Sequence, residues 1–231
     1  MPAQNVMQQA KTLNWAQIDC VFLDMDGTLL DLKYDNYVWN HLVPAAYAEK
    51  IGVDVADAQD RLLVHMREIR GTIEFYSFEY WIEFTGADLI EAHWQATHLI
   101  DYRPGALNFL RWLKGRGCPA IIATNAHRDS IHVKHTHANI CAEVDAVVSS
   151  HDFAAPKEDN NFWASLLKAH PYDPARCLFI DDNEPVLDAA SQFGIGHLLG
   201  ITTPDSLRPT RTDLRYPSFD DFTELYQLDA A

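Results

Sequence analysis

The chain has 231 residues, 48% of them hydrophobic, with a formal net charge of −15. That length suits one large domain or a core with an insertion, and the apolar fraction is enough for a sizeable core, which excludes wholesale disorder. So acidic a surface repels nucleic acid and anionic membranes, so the expected partner is a small molecule, and an anionic one would need local positive charge or a metal ion.

Residues 1–11 lack an apolar signal core, and no run of about 18 apolar residues follows. A cytoplasmic protein is therefore expected. Its cysteines, Cys20, Cys118, Cys141 and Cys177, form no C-x-x-C pair and read as reduced thiols.

The first apolar run, over 19–24, predicts a buried strand that ends in Asp24-Met25-Asp26-Gly27-Thr28. On extended backbone, side chains at i and i+2 share a side, so Asp24 and Asp26 would face one small volume. Two carboxylates there need a cation, a shared proton or a positive side chain. The next strand is not expected until 118–125. Such an interval is far too long for a simple crossover and reads as helical over 36–51, 56–70, 77–84 and 88–95. We read 31–101 as an inserted helical subdomain, with 1–30 and 102–231 as the core. Its many aromatics, among them Trp39, Tyr47, Phe78 and Trp81, are expected to form its own interior. Asp35 or Asn36 would cap its first helix, and Asn36 and Trp39 could either pack or touch a substrate.

Helices at 106–116, 128–138, 160–169 and 184–193 then alternate with strands at 118–125, 145–150, 176–181 and 196–199. That alternation predicts an α/β fold: a Rossmann-like parallel sheet with helices on both faces. In such sheets ligands sit at the carboxyl ends of the strands. The strands deliver Asp24 and Asp26, then Thr124 and Asn125, then Lys157 on the loop after the third, then Asp181 and Asp182. A hydroxyl, a cation and two carboxylate pairs would thus converge on one rim.

D-M-D-G-T, a strand ending in threonine, an isolated lysine and an apolar run ending in D-D together resemble the four motifs of the haloacid-dehalogenase superfamily. The long insertion resembles that superfamily's C1-type helical cap. T-N-A-H, P-K-E-D and F-I-D-D, with D-N-Y-x-W after the first motif, are similar to the bacterial GMP/IMP nucleotidase branch. The resemblance implies a Mg²⁺-dependent phosphomonoester hydrolase acting through an aspartyl-phosphate, with purine 5′-nucleotides as the substrate. It implies that Asp24 is the nucleophile and Asp26 the general acid and base, protonated first with help from the neighbouring carboxylate. Mg²⁺ would be held by Asp24, the backbone carbonyl of Asp26, and Asp181, with Asp182 reaching it through water. Thr124 and Asn125 would hold phosphate oxygens, and Lys157 would neutralise charge on Asp24 and the phosphoryl group. Alternatives on the same scaffold are a sugar-phosphate or phosphoglycolate phosphatase, or a phosphomutase. A non-catalytic binding protein would have little use for the intact set.

Three further signals have bland readings. His132, His135 and His137 lack an acidic partner at a third ligand spacing and read as a solvated helix face. Asp188 falls within a helix and also reads as solvated. The spacing of Gly194, Gly196 and Gly200 does not suit a dinucleotide loop. Nothing in the sequence bears on whether the chain is a monomer or a dimer.

Overall fold

The computed structural model describes residues 13–226. Six strands form one parallel sheet: β1 (Cys20–Leu23), β2 (Ala120–Thr124), β3 (Ala146–Ser149), β4 (Cys177–Asp181), β5 (His197–Ile201) and β6 (Ser218–Phe219). Their order is β3-β2-β1-β4-β5-β6. β1 is central, with Leu23 level with Ile122 on one side and Ile180 on the other. The chain direction of build-out reverses at β1, which opens a crevice at the carboxyl ends of β1, β2 and β4.

Period-two alternation divides each central strand between two cores. Val21, Leu23, Ile122 and Ile180 face one side with the helix α7 (Ala106–Gly115), through Phe109, Leu110 and Leu113. Cys20, Phe22, Ile121 and Phe179 face the other, against α9 (Asn160–Ala169) and α10 (Glu184–Phe193), through Phe162, Trp163, Leu166 and Leu187. Both faces of the sheet are therefore covered, and β1, β2 and β4 are buried throughout.

The interval between β1 and β2 is largely helical, as expected: α1 (Lys33–Tyr37), α2 (Val43–Ile51), α3 (Val55–Ile69), α4 (Ile73–Tyr76), α5 (Phe78–Thr85) and α6 (Leu89–Gln95). The chain leaves and re-enters the sheet side by side. The Asp31 amide donates to the Asp101 carbonyl, and the Arg103 amide to the Leu29 carbonyl, both at 2.9 Å. A π turn, Val38–Leu42, joins α1 to α2 and carries Trp39 and Asn40.

Three local expectations need correction. The first inserted helix starts at Lys33, and its amide is capped by Asp31 Oδ1 at 3.0 Å rather than by Asp35 or Asn36. α4 fills what reads as loop. β6 is an additional strand, and two residues carry no periodicity from which to predict it; only its pairing with β5 defines it. All four cysteines are free; Cys20 and Cys177 are buried opposite one another on β1 and β4, whereas Cys118 and Cys141 are half-buried.

Gly196 shows where the fold tolerates no side chain. Its amide donates to the Pro174 carbonyl at 2.9 Å, and a Cβ there would lie 2.0 Å from the Ala175 carbonyl oxygen. Backbone must move to relieve that overlap. Gly196→Ala is expected to lower stability by about 3 kcal/mol, read as a shifted urea midpoint at unchanged m-value. A loss within about 0.5 kcal/mol would show that the approach of β5 to the 174–176 turn relaxes freely.

Candidate active site

The Asp24 amide donates to the Ile180 carbonyl at 2.9 Å, which extends the β1–β4 pairing by one residue. The chain then folds into a tight turn: the Leu29 and Leu30 amides return to the Met25 carbonyl, and the Gly27 amide to Leu30. Met25 is fully buried below, while Asp24 and Asp26 both border a cavity above, as the i, i+2 argument expects. Gly27 has φ +84°, and a Cβ on it would lie 2.9 Å from Asp182 Cγ. The turn thus needs a glycine twice over, for its backbone angle and for the carboxylate packed against it.

Lys157 is buried, and its ammonium is 2.5 Å from Asp24 Oδ1 and 2.7 Å from Asp181 Oδ2. Its loop is held from two sides. Asn125 Oδ1 accepts from the Lys157 amide at 2.9 Å, and the Trp163 indole donates to the Lys157 carbonyl at 2.8 Å. Asn125 also donates through Nδ2 to Glu158 at 3.0 Å. Thr124, at the end of β2, is buried and accepts from the Ala126 amide at 3.0 Å, which leaves its hydroxyl hydrogen for another acceptor.

Asp24, Asp181 and Asp182 present carboxylate oxygens within 4.8 Å of one another. Burial, reinforced by the Asp181 and Asp26 charges, pushes Asp24 up to about 7 despite Lys157. Burial, reinforced by Asp24, pushes Asp182 up to about 7, and burial raises Asp181 to about 6 against the pull of Lys157. Lys157 is displaced upward: burial opposes its charge, and the Asp181 and Asp24 carboxylates outweigh that. Three acidic oxygen donors and one shared ammonium leave excess negative charge in a small buried volume. That donor set fits a hard divalent cation. The sequence reading ranked Asp182 behind Asp181; the structure puts its carboxylate in the same cluster.

Asp26 turns elsewhere. Its Oδ1 lies 2.6 Å from the Nζ of Lys134, on α8 (Arg128–Ala138), and the same ammonium lies 2.7 Å from Asp35 Oδ1. The group touching Asp26 is therefore an ammonium, one of the compensations expected for the carboxylate pair, and the Asp24 and Asp35 carboxyls stand close enough to interact with it. Lys134 sits among the histidines read as a solvated face. His132 and His137 are indeed exposed and His135 half-buried, but Lys134 is 1% exposed. The missed signal is helical spacing: Lys134 falls three residues after Ile131 and four after Ser130, on the buried side. Asp188 lies away from the site, as expected, though bound to Arg215 and Tyr216 rather than simply solvated.

The cavity above these groups measures about 700 Å³. Trp39, Met66, Arg70, Phe75, Phe78 and Trp81 of the inserted helices line it, together with Arg211 from the loop after β5. The aromatics thus serve both as interior and as wall; the sequence leaves both roles open for Trp39 and expects interior for the others. Contacts across the cavity rim include Tyr76 hydroxyl to Glu158 at 2.7 Å and Phe78 stacked on His127 at 4.7 Å. Asn36 Nδ2 donates to Asp205 at 2.6 Å. Glu158 and Arg211 were not singled out from sequence, because neither stands at the end of a strand.

A sequence profile of the haloacid dehalogenase-like hydrolases matches residues 18–194, which span Asp24 through Asp182 but not Arg211. The chain belongs to that family. This hydrolase is 39% identical over 211 residues to the GMP/IMP nucleotidase YrfG of Escherichia coli, covering 91% of this chain and 95% of that one. Its fold matches that of a phosphatase of the family from Thermococcus onnurineus, with TM-score 0.76 at 18% identity over 92% of this chain and 98% of that one. It also matches an L-2-haloacid dehalogenase of Xanthobacter autotrophicus, with TM-score 0.54 at 20% identity over 80% of this chain and 78% of that one. Likeness at such identities speaks for the fold alone.

If the carboxylate cluster is a cation site, binding there must displace protons. The three raised carboxyls are partly protonated below about pH 6 and ionised above about pH 8. Calorimetric titration of this hydrolase with Mg²⁺ should therefore show proton release near pH 6. The Kd should fall as pH rises to about 8, and Asp182→Asn should raise it at least about tenfold. A Kd independent of both pH and Asp182 would remove the cluster as the cation site.

Proposed function

We propose that this hydrolase is a Mg²⁺-dependent phosphatase of purine 5′-mononucleotides such as GMP and IMP, working through an aspartyl-phosphate on Asp24. The observation that carries the reading is the buried Asp24 carboxylate on the cavity floor, held by Lys157 with Asp181 and Asp182 alongside. We further propose that residues 31–101 act as a cap over a core formed by 1–30 and 102–231, in a cytoplasmic enzyme. Among the described residues no helix is long and apolar enough to cross a membrane.

In the first half-reaction an Asp24 oxygen attacks phosphorus as the bond to the nucleoside oxygen breaks. Asp26 gives its proton to that departing oxygen, so the nucleoside leaves as a neutral alcohol. In the second, Asp26 takes a proton from water, whose oxygen attacks the same phosphorus and releases inorganic phosphate and the Asp24 carboxylate. The Thr124 hydroxyl and the Asn125 backbone hold phosphoryl oxygens, and Lys157 stabilises charge on Asp24 and on the phosphoryl group. Mg²⁺, held by Asp24, the Asp26 carbonyl and Asp181, with Asp182 close by, would supply charge neutralisation and polarise the phosphoryl oxygen.

Asp26 favours phosphoryl transfer over dehalogenation, because cleaving a carbon–halogen bond expels a halide that needs no proton. The purine assignment draws on the similarity to the bacterial nucleotidase and on the aromatic walls. Trp39 and Phe75, both half-buried on the wall, leave aromatic surface for a nucleobase, with Trp81 buried behind Trp39, and base stacking is worth about 1–3 kcal/mol per aromatic in nucleic-acid systems.

Asp24→Asn should abolish turnover, by about 10³-fold or more in kcat, while the circular dichroism and Tm stay near wild type. A variant retaining a tenth of wild-type kcat would overturn the covalent route.

Across a panel of monophosphates, GMP or IMP should give the highest kcat/KM, ahead of pyrimidine nucleotides and sugar phosphates. Trp39→Ala should narrow that lead. A hexose phosphate or phosphoglycolate ahead by about tenfold, or about 1.4 kcal/mol of transition-state binding, would replace the nucleotide reading and keep the phosphatase one.

A further inference from the structure

We propose that Lys134 is a positioning residue for the proton-transferring carboxylate Asp26, with Asp35 of the inserted helices holding Lys134 in place.

The phosphoryl side of the site already has its own cation, Lys157. Lys134 is a second lysine, fully buried on α8, and it contacts none of Asp24, Asp181 or Asp182. Burying an ammonium is costly unless its hydrogens are satisfied. Here two carboxylates and the Tyr34 ring, at 5.2 Å, surround it. A surface ion pair would have achieved the same solubility at no desolvation cost, so the burial calls for a reason.

The geometry at Asp26 supplies one. Lys134 occupies Oδ1, while Oδ2 has no hydrogen-bond partner in the described protein and Asp26 borders the cavity. A carboxylate is otherwise free to turn about its Cβ–Cγ bond. An ammonium fixed on one oxygen sets the carboxyl plane and thereby aims the other oxygen toward the reacting ester. Misplacement of such a group by about 1 Å is enough to cost two orders of magnitude in rate.

Asp35 completes the device. It lies on α1, within two turns of the point where the chain leaves the sheet, and its Oδ1 grips the same ammonium. Its Oδ2 is buried without any partner, an expense that makes sense only if the Oδ1 contact is needed. Asp26, Lys134 and Asp35 therefore link the catalytic turn, α8 and the first inserted helix, so the aim of Asp26 depends on where the inserted helices sit.

This inference rests on Asp26 acting as the acid, so the test includes a variant that addresses that assignment separately. Single-turnover release of the leaving group is measured for GMP, whose alkoxide needs a proton, and for p-nitrophenyl phosphate, whose phenolate does not. The proteins are wild type, Asp26→Asn, Lys134→Met and Lys134→Met/Asp35→Asn; the last removes one charge of each sign and guards against misfolding.

Both Lys134 variants are expected to lose about 30-fold or more in guanosine release and at most about 3-fold in nitrophenol release, with KM for GMP within about 3-fold. Equal losses on the two esters, or guanosine release within about 3-fold of wild type in a folded variant, would overturn the positioning role. If Asp26→Asn itself loses equally on both, the acid assignment fails, and the role of Lys134 falls with it.

Discussion

Like charges confined to one buried rim are the constraint on which the rest of this structure depends. Asp24, Asp181 and Asp182 are drawn together where three parallel strands end, and burial alone would drive them toward the neutral form. Lys157 offsets part of that repulsion, but one ammonium cannot balance three carboxylates. The three carboxylates together form an oxygen donor set that fits a hard divalent cation.

Much of the surrounding architecture serves to hold Lys157. The lysine sits on a loop, where backbone freedom would blur its position. Asn125 receives the Lys157 amide, Trp163 donates to its carbonyl, and Glu158 is tied to both Asn125 and Tyr76. Trp163 is itself packed in the core beneath the sheet, so precision in the loop is borrowed from the hydrophobic interior. The Tyr76 hydroxyl on Glu158 brings an inserted helix into the same network. The seating of that helix and the placement of Lys157 are therefore mechanically linked.

The division of labour between two buried lysines has a simple electrostatic logic. On the mechanism proposed above, the nucleophile must be anionic and the proton donor must be aimed, and one cation could not serve both without placing the two carboxylates on the same ammonium. Separate lysines, from separate elements, keep Asp24 and Asp26 on independent partners although they stand two residues apart.

How far the sequence alone reached can be followed through particular residues. Strands were readable because a doubly covered parallel strand must be apolar on both faces, so Val21-Phe22-Leu23 and Leu178-Phe179-Ile180 announce themselves without any partner in view. Site residues next to those strands, namely Asp24, Asp26, Thr124 and Asp181, were readable for the same reason: their position in space follows from local register and the general placement of ligands at strand ends. Lys134, Asp35, Glu158 and Arg211 were not, because each acquires its meaning from a residue far away in the chain. A lysine flanked by histidines looks like a solvated face until its helix is docked, and docking is decided by the summed packing of apolar side chains from several elements. The shape of the cavity belongs to the same class, since Trp39 and Trp81 are interior or wall according to how the inserted helices rest on the sheet. Sequence determined the fold class, the acidic rim at the strand ends and its charge, which depend on short-range patterning; tertiary structure alone decided which charges pair, because pairing depends on distances between elements that no local pattern encodes.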